Sequence, residues 1–259
     1  MKLRVANHPV FKKRRLLPRQ KNRIRRPGLV VLGIFMIFCG MGLLGVEAFS
    51  YSTHCDSKMA YVEPESTGPT YYDSATTYAQ QTNDMLATEN IKTPLLLQTD
   101  ENWSYQDYGT DGGRTIYENG CAITSLAMIR SYHEKTTVTP PEILDWCHQE
   151  YYVAGSGTDW SIFPAFAKEY GYQFHDLQDD FQQAQTYLKN QIPVVVSVTE
   201  GEFTSRGHIM VLAAMQDGLI KVLDPADDDE KNHSYNWYTP EELQSQIIHY
   251  WTFTKTTAL

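Results

Sequence analysis

The sequence predicts an α+β domain in which a helical half precedes an antiparallel sheet. Three observations carry that prediction. Apolar residues recur at helical spacing between residues 121 and 191. From Pro193 onward the pattern changes to short runs rich in β-branched residues. Two of those runs are joined by Gln216-Asp217-Gly218, a tight hairpin signal. Helices first and hairpin-linked strands afterwards are the layout of this fold class.

Charge divides the 259-residue chain before the folded part begins. Residues 1–27 hold eleven of the 22 basic residues and none of the 31 acidic ones, so residues 28–259 carry a formal charge of −20. An acidic body of this size repels a nucleic-acid backbone and argues against a nucleic-acid partner. From Gly28 to Val46 the chain is uncharged and mostly apolar. That is about the length a helix needs to cross a hydrocarbon layer of ~30 Å. A basic run before such a segment stays cytoplasmic, which places everything after residue 50 outside the cell. Residues 28–49 are therefore expected to be a transmembrane anchor. Alternatively they form a signal segment cut after Ala48, where Val46-Glu47-Ala48 resembles a small-residue cleavage site. Residues 50–93 are rich in Ser, Thr, Asp, Gln and Tyr and read as a flexible extracellular linker with a weak helix near its end.

The folded domain is expected over residues 94–259. Pro94 to Gln98 is a short apolar strand or lead-in. Cys121 to His133 buries Ile123, Leu126, Ala127 and Ile129 at helical spacing. Thr139-Pro140-Pro141-Glu142 opens the next helix, with a capping hydroxyl, proline in the first turn and an acid three residues on. A third helix starts near Asp159 and stops at Gly171, and a fourth spans Phe181 to Gln191. The strands are Pro193–Val198, His208–Ala213, Leu219–Leu223 and Tyr250–Thr254, with a short helix capped by Thr239 before the last. Four scattered cysteines make no disulfide framework and no zinc spacing. No metal or organic cofactor is implied.

Cys121 follows Gly120 at the start of a helix, where unpaired N–H groups and the positive dipole end favour a thiolate. A cysteine nucleophile needs a base, and the base needs an orienting group. His208 stands at the start of a strand and Asp224 at the end of its hairpin partner, so the hairpin brings imidazole and carboxylate to one edge. The order of cysteine at a helix start, then histidine, hairpin and aspartate, is the signature of a thiol hydrolase. Gly120 permits close approach of a substrate to the backbone. Trp160 and Ser161 are candidates to line the cleft. Asp227 to Glu230 lacks the alternating ligand spacing of a calcium loop and reads as a solvated acidic turn.

The segments TIYENGCAITSLAMI (115–129), GTDWSIFPAFAKEYG (157–171), PVVVSVTEGEFTSRGHIMVL (193–212) and GLIKVLDP (218–225) resemble the C39-like peptidases of the papain-like superfamily, notably their extracellular branch. The resemblance implies a papain-like fold and a cysteine peptidase site at Cys121, His208 and Asp224. Transporter-linked members carry an oxyanion-hole glutamine six residues before the cysteine, where this chain has Thr115. Gln98 or Asn119 is left to supply that donor. The expected activity is hydrolysis of peptide bonds outside the cell. Two alternatives are cell-wall amide hydrolysis or acyl transfer on the same scaffold, and a peptide-binding module that has lost turnover.

Overall fold

The computed structural model describes residues 74–255. The basic tail, the apolar segment 28–49, residues 50–73 of the expected linker, and Cys39 and Cys55 lie outside the described residues. Within them no helix is long and apolar enough to cross a membrane.

The helical half comprises α1 (Ser74–Thr88), α2 (Ile116–Asn119), α3 (Cys121–Glu134), α4 (Pro140–Cys147) and α5 (Ile162–Tyr170), with a small hairpin of β1 (Tyr152–Val153) and β2 (Gly157–Thr158) before α5. β3 (Tyr172–Gln178) and α6 (Phe181–Lys189) follow. Next come β4 (Val194–Val198), β5 (His208–Gln216), β6 (Leu219–Leu223) and β7 (Trp237–Tyr238), and the chain closes with α7 (Pro240–Gln244) and β8 (Ile247–Lys255). Six strands form one antiparallel sheet in the order β3-β8-β4-β5-β6-β7. This is the α+β architecture expected from the change of period.

The central strand β5 shows why its sequence is apolar at every position from Ile209 to Met215. Ile209, Val211 and Ala213 join the core beneath α3 to α5, while Met210 and Leu212 join a second core beneath α6. A strand buried on both faces loses the alternation of a half-exposed one and becomes a continuous apolar run. Helix starts follow the cap chemistry of the sequence. Glu142 Oε2 accepts from the Thr139 N–H at 2.7 Å, and Glu242 Oε2 from the Thr239 N–H at 2.7 Å. In the β5–β6 turn, Asp217 and Gly218 both take positive φ, +51° and +85°, as a two-residue hairpin loop requires. Farther along the hairpin the register shifts between Leu212 and Ala214, a bulge that leaves Ala213 without an opposite residue on β6.

One alternative is settled and one expectation corrected. Residues 94–98 are the lead-in and form no strand. They run as irregular chain, and Asn83 of α1 holds Leu95 through both main-chain groups, accepting from its N–H at 2.7 Å and donating to its carbonyl at 3.0 Å. Residues 74–93 are not a spacer. Helix α1 buries Tyr78, Thr82 and Leu86, and Ile91 follows them into the core. The composition of this stretch hides its apolar side because only a few residues, three or four apart, carry it. Beyond α1, Glu89 lies 3.0 Å from the Nζ of fully buried Lys221 and accepts from Trp237 Nε1 at 3.1 Å. β3 was not anticipated because it is a mostly polar edge strand with Leu177 alone buried.

Removing residues 1–93 strands Lys221 without its carboxylate and uncovers the core beneath α1. A chain starting at residue 94 is expected to melt at least about 5 °C below one starting at residue 74. Equal midpoints by calorimetry would remove α1 from the folded unit.

Candidate active site

Three residues far apart in sequence converge at the end of the central hairpin. Cys121 opens α3, in the first turn where backbone N–H groups have no intrahelical acceptor. Its preceding residue must be glycine for a local reason. A Cβ on Gly120 would stand 2.4 Å from the Ile116 carbonyl oxygen, so the tight passage from α2 into α3 admits no side chain. The glycine expected to make room for a substrate is thus required by the helix junction itself.

His208 is the first residue of β5, and its Nε2 is 2.7 Å from Asp224 Oδ1. Cys121 is its neighbour on the other side, close enough that thiol and imidazole shift each other's titration. The bulge at Ala213 makes the histidine–aspartate contact possible. Near the turn, Gln216 pairs with Leu219, whereas beyond the bulge Val211 pairs with Leu223. Continued by one residue, that register sets Asp224 opposite Met210, on the same face as His208. Without the extra residue Asp224 would fall opposite Val211 and point to the other face.

Asp224 is fully buried, and its carboxylate is held on both oxygens. Oδ1 faces His208 and accepts from the Ala226 N–H at 2.8 Å, and Oδ2 lies 2.8 Å from His233 Nδ1. Its own N–H donates to Ser234 Oγ at 3.1 Å. Burial alone would push this carboxyl up, but the two histidines outweigh it and hold the group well below the usual carboxylate range. The imidazole of His208 shows the reverse balance. Burial pulls it down, while hydrogen bonds to Asp224 and Cys121 raise it far above the ordinary value. For Cys121, burial pushes the thiol up, yet His208 and the backbone N–H groups of Ile209 and Ala122 bring it below the ordinary thiol. A raised imidazole beside a lowered thiol favours passing the proton from sulfur to ring, the direction that activates a cysteine. Cys147 is the contrast, its thiol pushed up by burial to about 12.

The remaining sequence candidates are placed as follows. Gln98 is 5 % exposed, and its Nε2 donates to the Tyr117 carbonyl at 2.6 Å, one helical turn before Cys121. Its Oε1 is buried without a partner, and its own N–H donates to the Pro225 carbonyl at 2.7 Å. Asn119 instead donates to the Tyr108 carbonyl at 3.1 Å. Trp160 packs its ring against Trp251 and His249, and the Ser161 N–H donates to Asp159 Oδ1 at 2.8 Å, next to the start of α5. A cleft of about 730 Å³ opens beside Gln98, Tyr117 and Asp227.

His233 escaped the sequence reading because it opens a single 3-10 turn, His233–Tyr235, without a partner pattern, nine residues from Asp224. Asp227, read as part of a solvated turn, is 1 % exposed and accepts from the N–H groups of His233 (3.0 Å) and Ser234 (2.6 Å). Asp224, Asp227 and His233 each bring a ligand atom within 4.8 Å of the others, the spacing of a cation site. Every carboxylate oxygen among them already accepts from an N–H or O–H group, which fits a proton-bonded network better than a metal centre.

With this geometry in view, the sequence profile of the Peptidase_C39 like family matches residues 90–259. The chain belongs to that family. Its mixed helices and antiparallel sheet are the papain-like peptidase fold. Solved structures of similar fold include a putative C39-like peptidase from Bacillus anthracis, at 16 % identity and a TM-score of 0.44 over 64 % of this chain and 96 % of that one. The peptidase domain of Streptococcus ComA, a bifunctional ABC transporter involved in quorum sensing, matches at 16 % identity and 0.42, covering 62 % of this chain and 98 % of its own. A double-glycine-motif protease from an AMS/PCAT transporter, solved with its leader peptide, matches at 19 % and 0.41, covering 64 % and 94 %. No curated protein matches the sequence.

The two free cysteines of the described residues are expected to differ sharply in reactivity. Iodoacetamide should label Cys121 at pH values below the ordinary thiol range, because its thiol is lowered, and should leave Cys147 untouched in the folded chain. Mass spectrometry of the adducts across pH checks this, and His208→Ala should move the onset of Cys121 labelling to higher pH.

Proposed function

We propose that this family member is a cysteine peptidase that cuts peptide bonds on the outer side of the membrane. The observation that carries the reading is the His208–Asp224 pair at 2.7 Å beside Cys121, whose thiol His208 lowers despite its burial. Cys121 Sγ attacks the scissile carbonyl carbon. His208, protonated in the resting pair, gives its proton to the leaving amine and then takes one from the water that releases the acyl-enzyme. Asp224 fixes the imidazole and supports its positive charge.

The developing oxyanion requires donors at the helix start. The Cys121 N–H is one. Gln98 supplies the other, since one N–H of its amide is spent on Tyr117 and the second is left for the substrate oxygen. The outer location rests on the sequence, where the basic run of residues 1–27 precedes the apolar stretch 28–49. In that reading the chain is a single-pass membrane protein, released from the membrane if it is cut after Ala48. Its substrate is a peptide or protein, and no cofactor enters the reaction.

Turnover of a peptide library by the full chain should vanish in Cys121→Ala and fall about a hundredfold or more in Asp224→Asn. Hydrolysis that survives in Cys121→Ala sinks the reading. Gln98→Ala is expected to lower kcat by about a hundredfold to a thousandfold with little change in KM, the signature of a group that binds only in the transition state.

A further inference from the structure

We propose that Tyr78 and His233 are positioning residues of the cysteine centre, and that helix α1, which precedes the family match at residue 90, is thereby a working part of it. The proposal rests on Cys121 being the nucleophile. Hydrogen bonds run without a break from α1 to His208, whose imidazole in turn shifts the Cys121 thiol. Tyr78 Oη donates to Asp227 Oδ2 at 2.7 Å. Asp227 grips the main chain of residues 233 and 234 through both oxygens. That grip sets His233, whose Nδ1 donates to Asp224 Oδ2, and Ser234, whose hydroxyl accepts from the Asp224 N–H. Asp224 Oδ1 then faces His208.

Each link in this chain is buried. Tyr78 is 4 % exposed, Asp227 1 %, His233 7 % and Ser234 0 %. A carboxylate with one oxygen on its catalytic histidine still turns about its χ2 axis, and the second oxygen must be anchored to fix the plane. His233 is that anchor. Its ring is in turn fixed by Phe203, stacked edge-on at 5.0 Å between centroids. The same loop reaches the oxyanion side, because the Pro225 carbonyl accepts from the Gln98 N–H. Asp227 thus closes a loop, residues 224–234, that sets the orienting carboxylate and supports Gln98. Tyr78 comes from a helix that family membership alone does not supply.

The test uses the full chain, with iodoacetamide at neutral pH as the probe of the Cys121–His208 pair and thermal unfolding measured in parallel. Loss of a hydrogen bond to a charged group is worth about tenfold, so His233→Ala should slow Cys121 labelling by about that factor. His233→Asn presents an amide N–H near the place of Nδ1 and should recover most of the rate. Tyr78→Phe keeps the ring and removes only the hydroxyl; it should slow labelling by about threefold, and the double variant with His233→Ala should lose less than the product of the two. A merely structural role predicts lowered unfolding midpoints with unchanged labelling of the folded protein and no advantage of Asn over Ala, and that pattern overturns the proposal. Wild-type Cys121 labelling no faster than Cys147 would instead sink the nucleophile assignment itself.

Discussion

Asp224 is a fully buried carboxylate held toward its ionised form. An isolated ion there would neutralise itself or unfold its surroundings, since desolvating a carboxylate costs several kcal/mol even after relaxation. The surrounding chain is arranged to prevent both. Two imidazoles and a backbone N–H converge on its oxygens, while Ser234 holds its main chain. The proposed reactivity of Cys121 depends on that satisfied charge. The carboxylate raises His208, and His208 lowers the Cys121 thiol against the burial that would otherwise raise it.

The fold supplies rigid supports for each member. The sulfur sits on a helix whose start is tightened by Gly120 against Ile116. The imidazole stands on the central strand of a sheet packed on both faces. The carboxylate ends the adjacent strand and is locked from behind by an irregular loop. Sites built on packed elements hold their geometry better than sites built on free loops. The one loop involved here is itself pinned through buried Asp227.

Helix α1 changes the meaning of the segment before residue 94. A polar stretch can still dock when a few residues at helical spacing meet a waiting surface, and Tyr78, Thr82 and Leu86 do so. Glu89 adds an electrostatic reason, because Lys221 in the middle of β6 needs an anion. The boundary between linker and domain therefore falls ahead of the point where apolar content rises.

The sequence by itself determined the α+β order, the capped helices and the hairpin, and it pointed to Cys121, His208 and Asp224, because each is announced by local chemistry. Period, capping residues, an Asp-Gly turn and a glycine before a helix act within a few residues of chain. Only the tertiary structure decided the rest. The bulge at Ala213 turns Asp224 toward His208, and no propensity marks it, since a register shift is set by packing on both faces of the strand. The roles of His233 and Asp227 depend on a loop folding back over nine and three residues to meet Asp224. Tyr78 meets Asp227 across 149 residues of sequence. Contacts of that kind leave no periodic trace, because they are specified by where surfaces meet and not by how neighbouring residues repeat.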